Sequence, residues 1–287
     1  MAFKSVLSVT GVGHCDEDVK TAAGLCGEVR AHLSVLVMSR QPIGAGIPML
    51  VERERDIAGL ERRFRQIERF SHDMARLEKR YSEIQKLLRA TSLCYGIETD
   101  HCDPVSVGEI VRQRALCNDL TIVGPTLLYD EDLGPPVING CLFDTGKPVL
   151  VVPKGAEATL SPRRVLVGWD SRAEASRAVR EALDLLSGAE EVCVALVDPQ
   201  ANYNGNGSKP GADIAAYLTR HGAHVSVDLL RSGGKPAASV LAQHAIDTCA
   251  DMIVMGAYGS RRLRERIFGG ATRWIVAKPT LPLFLAR

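Results

Sequence analysis

The chain has 287 residues, of which 46% are hydrophobic and 24% are charged, and its formal net charge is +1 at pH 7. This length fits two domains of ordinary size, and the composition is that of a globular protein. The near-neutral charge excludes a general attraction to nucleic acid or to membrane surfaces. No apolar run reaches the ~18 residues that a membrane span needs.

The N-terminal residues and the cysteines bear on the cellular compartment. The first residues, 1–7, contain no long apolar segment, so we expect no signal peptide. The eight cysteines are scattered and form no Cys-x-x-Cys pair, which argues against a zinc ribbon or a thioredoxin-type motif. We therefore expect a protein of the reducing cytoplasm.

The N-terminal half opens with a predicted strand at 6–10 and continues into a highly charged stretch at 51–90. Apolar residues recur there at steps of three and four, which predicts one helical stripe. They occupy positions 57, 60, 64, 67, 74, 77, 81, 84 and 88. A continuous helix of this length would span roughly 60 Å, which exceeds a small domain. It therefore breaks near Ser71-His72, packs along its own domain, or projects towards a partner helix.

One segment occurs in both halves of the chain. Residues 103–124 and 235–256 align without a gap. Identical residues occupy four paired positions: Pro104 and Pro236, Cys117 and Cys249, Asp119 and Asp251, and Gly124 and Gly256. Each copy predicts a helix with proline in its first turn, followed by a buried parallel strand. The chain is therefore a predicted tandem duplication, with domains at 1–154 and 162–287 and a polar linker around 153–162.

The C-terminal half alternates predicted strands with predicted helices. The strands are Arg164–Asp170, Glu191–Val197, His224–Arg231, Met252–Gly256 and Leu281–Ala286. The helices are Ser171–Leu186, a segment through Gly211–His221, Pro236–Cys249 and Thr272–Ala277. This alternation predicts an α/β fold with a doubly wound parallel sheet in each half. Such sheets bind ligands at the carboxyl ends of their strands, where the strand order reverses.

A glycine-rich stretch follows the predicted strand 252–256. It contains Gly256, Gly259, Gly269 and Gly270, and it leads into a predicted helix that begins at Thr272. Glycine allows another group to lie against the main chain, and the first N–H groups of a helix have no partner within that helix. Strand, glycine turn and helix start together predict a site for an anion, most often phosphate. The alternative is a glycine-rich surface loop without a ligand.

The spacing Gly-x2-Gly-x9-Gly-x of residues 256–270 resembles the nucleotide loop of the universal stress protein family. In the ATP-binding members a Ser or Thr follows the last glycine, whereas Gly270 stands there in this chain. The resemblance implies a Rossmann-like fold with two five-stranded sheets, each in the order 3-2-1-4-5. It also implies a pocket formed by Asp170, the backbone of Val197, and the glycine loop with Ala271 and Thr272. From the residues alone, Asp170 is equally a candidate cap for a helix beginning at Ser171.

The N-terminal half lacks these features. Thr10-Gly11 stand where Asp170 would be, and Leu127 replaces the second glycine. The acidic residues 130–132 follow, and their charges would repel a polyphosphate. We expect that this half has lost ATP binding, that the acidic trio is not a metal site, and that His14-Cys15 lies in a plain loop.

The resemblance to this family implies a stress-response protein of the cytoplasm that binds ATP, with or without Mg²⁺, in its C-terminal half. Two alternatives remain open. One is an enzyme that slowly hydrolyses ATP or transfers its phosphate, although no catalytic base is evident. The other is an interaction scaffold without a ligand that works through the charged helix. A homodimer of the whole chain is compatible with each of them.

Overall fold

The structure is a computed structural model that describes residues 3–40, 57–199, 210–257 and 279–287. Its strands are β1 Ser5–Gly11, β2 His32–Arg40, β3 Tyr95–Cys102, β4 Leu120–Val123, β5 Val149–Val151, β6 Arg164–Gly168, β7 Glu191–Val197, β8 Val225–Leu230, β9 Met252–Gly256 and β10 Leu283–Ala286. Its α helices are α1 Glu17–Val29, α2 Ile57–Arg89, α3 Val107–Leu116, α4 Pro125–Leu128, α5 Gly134–Phe143, α6 Ala173–Glu181, α7 Leu183–Gly188, α8 Ala212–Arg220 and α9 Ala237–Asp247.

The strands form one ten-stranded sheet in the order β3-β2-β1-β4-β5-β10-β9-β6-β7-β8. Within each half the order is 3-2-1-4-5 and every pairing is parallel, which confirms the predicted doubly wound fold. The two halves meet where β5 and β10 pair antiparallel, with Phe284 opposite Leu150. Each half therefore covers an edge strand of the other, which removes two exposed edges.

The hydrophobic core has two layers, one on each face of the sheet, and each layer contains residues of both halves. The central strands are apolar on both faces because helices cover both sides. At the junction of the halves, Phe3 and Phe284 lie with ring centroids 6.2 Å apart, and the Arg287 guanidinium lies 4.9 Å from the Phe143 ring centroid. The two halves of the sheet are thus joined by side-chain packing as well as by hydrogen bonds.

The duplicated aspartates make the same contacts in both halves. Asp119 accepts hydrogen bonds from the backbone N–H groups of residues 4–5 at 2.8 and 3.0 Å. Asp251 accepts the same pair from residues 163–164 at 2.7 and 2.8 Å. In each case a carboxylate just before the fourth strand fixes the start of the first strand. The repeat in the sequence is therefore a repeat of structure.

The charged helix α2 is continuous over Ile57–Arg89, which excludes the alternative of a break near Ser71-His72. At 1.5 Å per residue it is roughly 50 Å long. Its C-terminal part packs on the sheet through Leu77, Ile84 and Leu88, which are almost fully buried. Its earlier part exposes apolar side chains, although the Phe70 ring lies edge-on to the His101 ring of β3, with centroids 5.4 Å apart. Residues 51–56 of the predicted helix lie outside the described residues.

Two predicted elements of the C-terminal half differ in detail. The first strand ends at Gly168 rather than at Asp170, and the single helix predicted at 171–186 is the two short helices α6 and α7. Among the described residues, no helix is both long enough and apolar enough to span a membrane.

Candidate functional site

The carboxyl ends of three neighbouring strands meet in the C-terminal half. β6 lies between β7 and β9, with Gly168 paired to Ala195 on one side and to Met255 on the other. Here the chain order reverses, because β7 leads outward to β8 whereas β9 leads to β10. Reversal points of this kind form crevices at the edge of parallel sheets. We call this place the C-terminal crevice; it is bordered by Asp170, Val197 and Gly256.

Gly256 ends β9 and lies against the start of α6. A Cβ atom at this position would lie 2.5 Å from the backbone nitrogen of Ala175 and 2.5 Å from the carbonyl carbon of Glu174. Only glycine therefore allows α6 to begin so close to the strand end. The group that lies against this glycine is the chain's own helix, which explains why the fourth strand ends in glycine.

Asp170 follows β6 and is exposed. Its Oδ1 accepts a hydrogen bond from the backbone N–H of Arg172 at 3.0 Å, and its Oδ2 lies 3.7 Å from Arg172 Nε. The alternative that Asp170 caps a helix beginning at Ser171 is wrong, because α6 begins at Ala173 with Arg172 in the capping position. Asp170 instead shapes the turn between strand and helix, where Ser171 has a φ of +61°. Its carboxylate remains at the solvent-exposed rim of the crevice.

Val197 ends β7 and is half-buried. The next residue, Asp198, has a φ of +46°, and its backbone N–H donates to the carbonyl of Leu230 at 2.9 Å. Asp198 Oδ1 accepts from the backbone N–H of Ser232 at 3.1 Å. Hydrogen bonds from the Ser232 side chain and backbone lower the pKa of Asp198. Asp198 thus fixes the turn after β8 next to the crevice.

The structure places Asp170, Val197 and Gly256 at one edge of the sheet. The remaining predicted site residues lie outside the described residues: Gly259, Gly269, Gly270, Ala271 and Thr272. The helix predicted at Thr272–Ala277 lies outside them as well. For the glycine loop, the described part of the chain therefore shows only where it leaves the sheet.

The equivalent crevice of the N-terminal half contains a buried carboxylate. Asp18 Oδ1 accepts from the backbone N–H of Thr126 at 2.7 Å, and its Oδ2 accepts from that of Leu127 at 3.2 Å. Thr10 Oγ1 lies 3.4 Å from the same Oδ2. Asp18 is 0% exposed, and these amides open the short helix that follows β4 and Gly124. The Asp18 carboxylate therefore binds backbone N–H groups directly after the fourth strand of this half. In the C-terminal half, the glycine loop follows the fourth strand at the same point of the sequence.

His14 connects two carboxylates in this N-terminal crevice. Its Nδ1 lies 3.3 Å from Asp18 Oδ2, and its Nε2 lies 2.9 Å from Asp130 Oδ2. Burial alone would lower the pKa of His14, but the hydrogen bonds to Asp18 and Asp130 outweigh it and raise the pKa. For Asp130, burial acts to raise the pKa, yet hydrogen bonds from His14 and the Leu133 backbone bring it below its usual value. His14 lies in a loop between β1 and α1, as the sequence predicts, but its ring contacts two carboxylates and accepts from the backbone N–H of Gly11 at 3.0 Å.

The acidic residues after α4 are engaged within the chain. Asp130 Oδ1 accepts from the backbone N–H groups of Asp132 and Leu133 at 2.9 and 2.8 Å. Asp132 pairs with Arg40 at 3.0 Å. A signal for this network was present in the spacing of His14 and Asp18, four residues apart at a helix start. The distant partner Asp130 could not be found from spacing.

Comparisons with known proteins agree with this fold. Residues 162–287 match the model of the Universal stress protein family. A universal stress protein from Archaeoglobus fulgidus DSM 4304 matches with a TM-score of 0.69 and 17% identity, covering 99% of this chain and 96% of that one. A protein from Pseudomonas aeruginosa UCBPP-PA14, provisionally named a universal stress protein, matches with a TM-score of 0.57 and 15% identity, covering 99% and 93%. No curated protein sequence matches the chain. Residues 162–287 thus form a domain of the Universal stress protein family, and the chain as a whole has the fold of the solved universal stress protein from Archaeoglobus fulgidus.

Proposed function

We propose that the C-terminal crevice binds an adenine nucleotide, ATP with or without Mg²⁺, as part of a stress response. The observation that carries this proposal is the convergence of Asp170, Val197 and Gly256 where the strand order reverses. The glycine loop predicted for phosphate leaves the sheet from Gly256, at the same edge. Strand ends of this kind, followed by a glycine loop, are established nucleotide sites in α/β proteins.

Each residue has a distinct role in the proposal. Asp170 accepts hydrogen bonds from the ribose hydroxyls, and the backbone at Val197 lies against adenine. Main-chain N–H groups of the loop hold the phosphates. That loop supplies Gly259, Gly269, Gly270, Ala271 and Thr272.

The backbone at the crevice supports this proposal. In the described part of the chain, four residues other than glycine have a positive φ, and two of them, Ser171 and Asp198, border the crevice. Such conformations cost free energy and concentrate at ligand sites. Asp170 fixes the turn after β6, and Asp198 fixes the turn after β8. Together the two turns present a rigid border to a ligand.

We also propose that the N-terminal half, taken as residues 1–154, does not bind ATP. Asp18 already occupies the backbone N–H groups of Thr126 and Leu127. A phosphate would have to displace a buried carboxylate that is also hydrogen-bonded to His14. The domain at 162–287 would then hold one nucleotide per chain.

Titration calorimetry with ATP tests the site through Asp170→Asn. The asparagine oxygen keeps the turn, but the charge available to the ribose is lost, so we expect affinity to fall about tenfold or more. Asp103→Asn is the matched control, because its Oδ1 accepts from the N–H of Val105 in the same kind of turn, also at 3.0 Å. Equal affinity of the two variants, or no binding by the unmodified protein at millimolar ATP, would refute the proposal.

Hydrolysis is tested separately from binding. It would require a group that positions water and positive charge near the γ-phosphate. Phosphate release above that of buffer, and its loss in Gly269→Val, would establish a slow ATPase. Binding without release would leave a nucleotide-binding protein.

A second candidate function, self-association, is favoured by the exposed part of α2. Phe64, Ile67 and Met74 recur at helical steps and are 67, 64 and 38% exposed. An exposed apolar stripe on a long helix favours pairing with the same helix of a second copy. Sedimentation velocity should then show a homodimer that Ile67→Glu dissociates and that Val105→Glu, a change at another exposed apolar residue, leaves intact. A monomeric unmodified protein would exclude this function.

The cysteines support a cytoplasmic location. All eight fall within the described residues, and all are free thiols. Free thiols persist in reducing compartments. Fractionation of cells that produce the protein would test this part of the proposal.

A further inference from the structure

Three side chains with metal-binding atoms converge away from the C-terminal crevice. Cys193 lies on β7, Asp228 on β8 and His244 on α9. The register pairs Cys193 with Ser226, so Cys193 and Asp228 project from the same face of the sheet. α9 packs over that face. This sheet–helix interface brings together residues that are 35 and 16 positions apart in sequence.

The three atoms are within a few ångströms of one another. Cys193 Sγ lies 3.3 Å from Asp228 Oδ2 and 3.8 Å from His244 Nε2, and His244 Nε2 lies 2.8 Å from Asp228 Oδ2. In a nucleophilic triad the acid and the nucleophile contact different nitrogens of the imidazole. Here the same nitrogen faces both, so the cluster is not arranged as a triad. Its atoms instead surround a common point.

We propose that Cys193, Asp228 and His244 form a zinc-binding site. Thiolate, imidazole and carboxylate are the three kinds of ligand that Zn²⁺ takes in proteins, at bond lengths of roughly 2.0 to 2.3 Å. A tetrahedron with such bonds has ligand atoms roughly 3.3 to 3.5 Å apart. The observed separations bracket that range, so binding requires only small side-chain adjustments. The mixture of one sulfur with nitrogen and oxygen favours zinc over magnesium or calcium.

Space for a fourth ligand lies next to the cluster. A cavity of about 40 Å³ borders Cys193 and Asp228, and the hydroxyl residues Ser226 and Thr248 also line it. That volume holds at least one water molecule, the usual fourth ligand of a zinc bound by three side chains. The His244 and Asp228 side chains are 19 and 42% exposed, which gives the ion a route from solvent.

Zinc here would fix α9 to the outer strands β7 and β8. β8 is an edge of the sheet, and α9 leads through 248–251 into β9 and Gly256. Cys193 lies four residues before Val197, which is roughly 13 Å along the strand. The ion would therefore stabilise the element that leads to the nucleotide loop without touching the nucleotide. The zinc proposal does not depend on the nucleotide proposal.

Cobalt(II) spectroscopy on the full chain tests the site directly. Addition of Co²⁺ should produce a thiolate-to-cobalt charge-transfer band that saturates at one equivalent of Co²⁺ per chain. Addition of Zn²⁺ should then remove the band. Cys193→Ser should abolish the band. Cys102→Ser should keep it, since Cys102 is also on a strand and equally buried, 7% exposed, but lies in the other half. Absence of the band in the unmodified protein, or its persistence in Cys193→Ser, would show that the cluster is only hydrogen-bonded.

Competition with a chromophoric chelator gives the zinc affinity. Loss of an outer-shell partner weakens metal binding roughly 10- to 100-fold, so loss of a direct ligand should cost about 100-fold or more. We expect this for His244→Gln and no change for the control His221→Gln, whose ring lies against Tyr217 instead. Equal zinc affinity of the two variants would overturn the proposal. Zinc should also raise the thermal unfolding midpoint of the unmodified protein, which tests the site even if a variant fails to fold.

Discussion

The two crevices of this protein share one framework and differ in one carboxylate. In both halves a glycine at the end of the fourth strand, or directly after it, lies against the beginning of the first helix: Gly124 next to Asp18, and Gly256 next to Glu174. Asp18 is the second residue of α1, and Glu174 is the second residue of α6. The aspartate is fully buried on backbone N–H groups, whereas Glu174 is only half-buried. Duplication thus preserved the strand order while the anion site was filled from within in one half.

The largest expected effect tests the shared framework. Gly256→Ala and Gly124→Ala would each place a methyl group less than 3 Å from backbone atoms of the adjoining helix. Because backbone cannot move aside cheaply, we expect each change to lower the free energy of unfolding by about 3 kcal/mol. Denaturant unfolding measures this. Gly188→Ala, where an added Cβ meets nothing within 4 Å, is the control and should be neutral or slightly stabilising.

The next effect tests the buried carboxylate. Asp18→Asn would turn an amide NH₂ towards a backbone N–H in place of an accepting oxygen, so a donor would face a donor. We expect a loss of about 2 kcal/mol in the free energy of unfolding. Glu174→Gln, at the matching position of the other half, should change stability little. Similar losses in the two variants would mean that the halves do not differ as described.

Strand order and repeat could be predicted because they depend on local features. The prolines, aspartates and glycines of residues 103–124 and 235–256 recur at fixed spacing, and the aspartates and the final glycines make the same contacts in both halves. The β5–β10 pairing could not be predicted, since two apolar edge strands can each be covered in several ways. Whether α2 is continuous was left open. Its length exceeds that of a small domain, which favours a break, but no proline or glycine marks one at Ser71-His72.

The site chemistry was less accessible from sequence than the fold. Asp18 binds an N–H group 108 residues away, and His14 reaches Asp130 across 116 residues. The Cys193, Asp228 and His244 cluster likewise follows no motif spacing, because neighbouring strands and a covering helix bring its members together. Such contacts follow from topology, which sequence patterns give only in outline.

A smaller effect is the pH dependence of the network around His14. Its pKa is raised on folding, so its stabilising contribution is complete below the unfolded value, about 6.5, and is lost as pH rises through the folded value. Asp130 acts oppositely, since its lowered pKa gives stability that is lost only as pH falls through its folded value. The stability difference between the unmodified protein and His14→Gln should therefore be larger near pH 6 than near pH 9. Arg40 is also close to Asp130, at 3.9 Å, and stays charged throughout.

The control for this measurement is His221→Gln, in which the exposed ring at the end of α8 is removed. It shows how far the loss of an imidazole outside the network changes the free energy of unfolding. A difference for His14→Gln that grows with rising pH would contradict a raised pKa of His14.

The smallest expected effect concerns Glu174. Its Cβ and backbone lie against Gly256, where the glycine loop leaves the sheet, so we expect its charge to repel a triphosphate bound there. Removal of the charge in Glu174→Gln should tighten ATP binding about twofold, as expected for a partly exposed charge. Calorimetry can resolve a change of this size in parallel with Glu181→Gln, a change further along the same helix. Weaker binding by Glu174→Gln would instead make Glu174 a ligand of the nucleotide.

Crystals grown with a non-hydrolysable ATP analogue would test the central difference between the halves most directly. We predict one nucleotide per chain, in the C-terminal crevice, with its phosphates on the loop that begins at Gly256 and its ribose at Asp170. Asp18 should remain on the amides of Thr126 and Leu127. A triphosphate in the N-terminal crevice, or a C-terminal crevice without nucleotide at saturating analogue, would contradict the account.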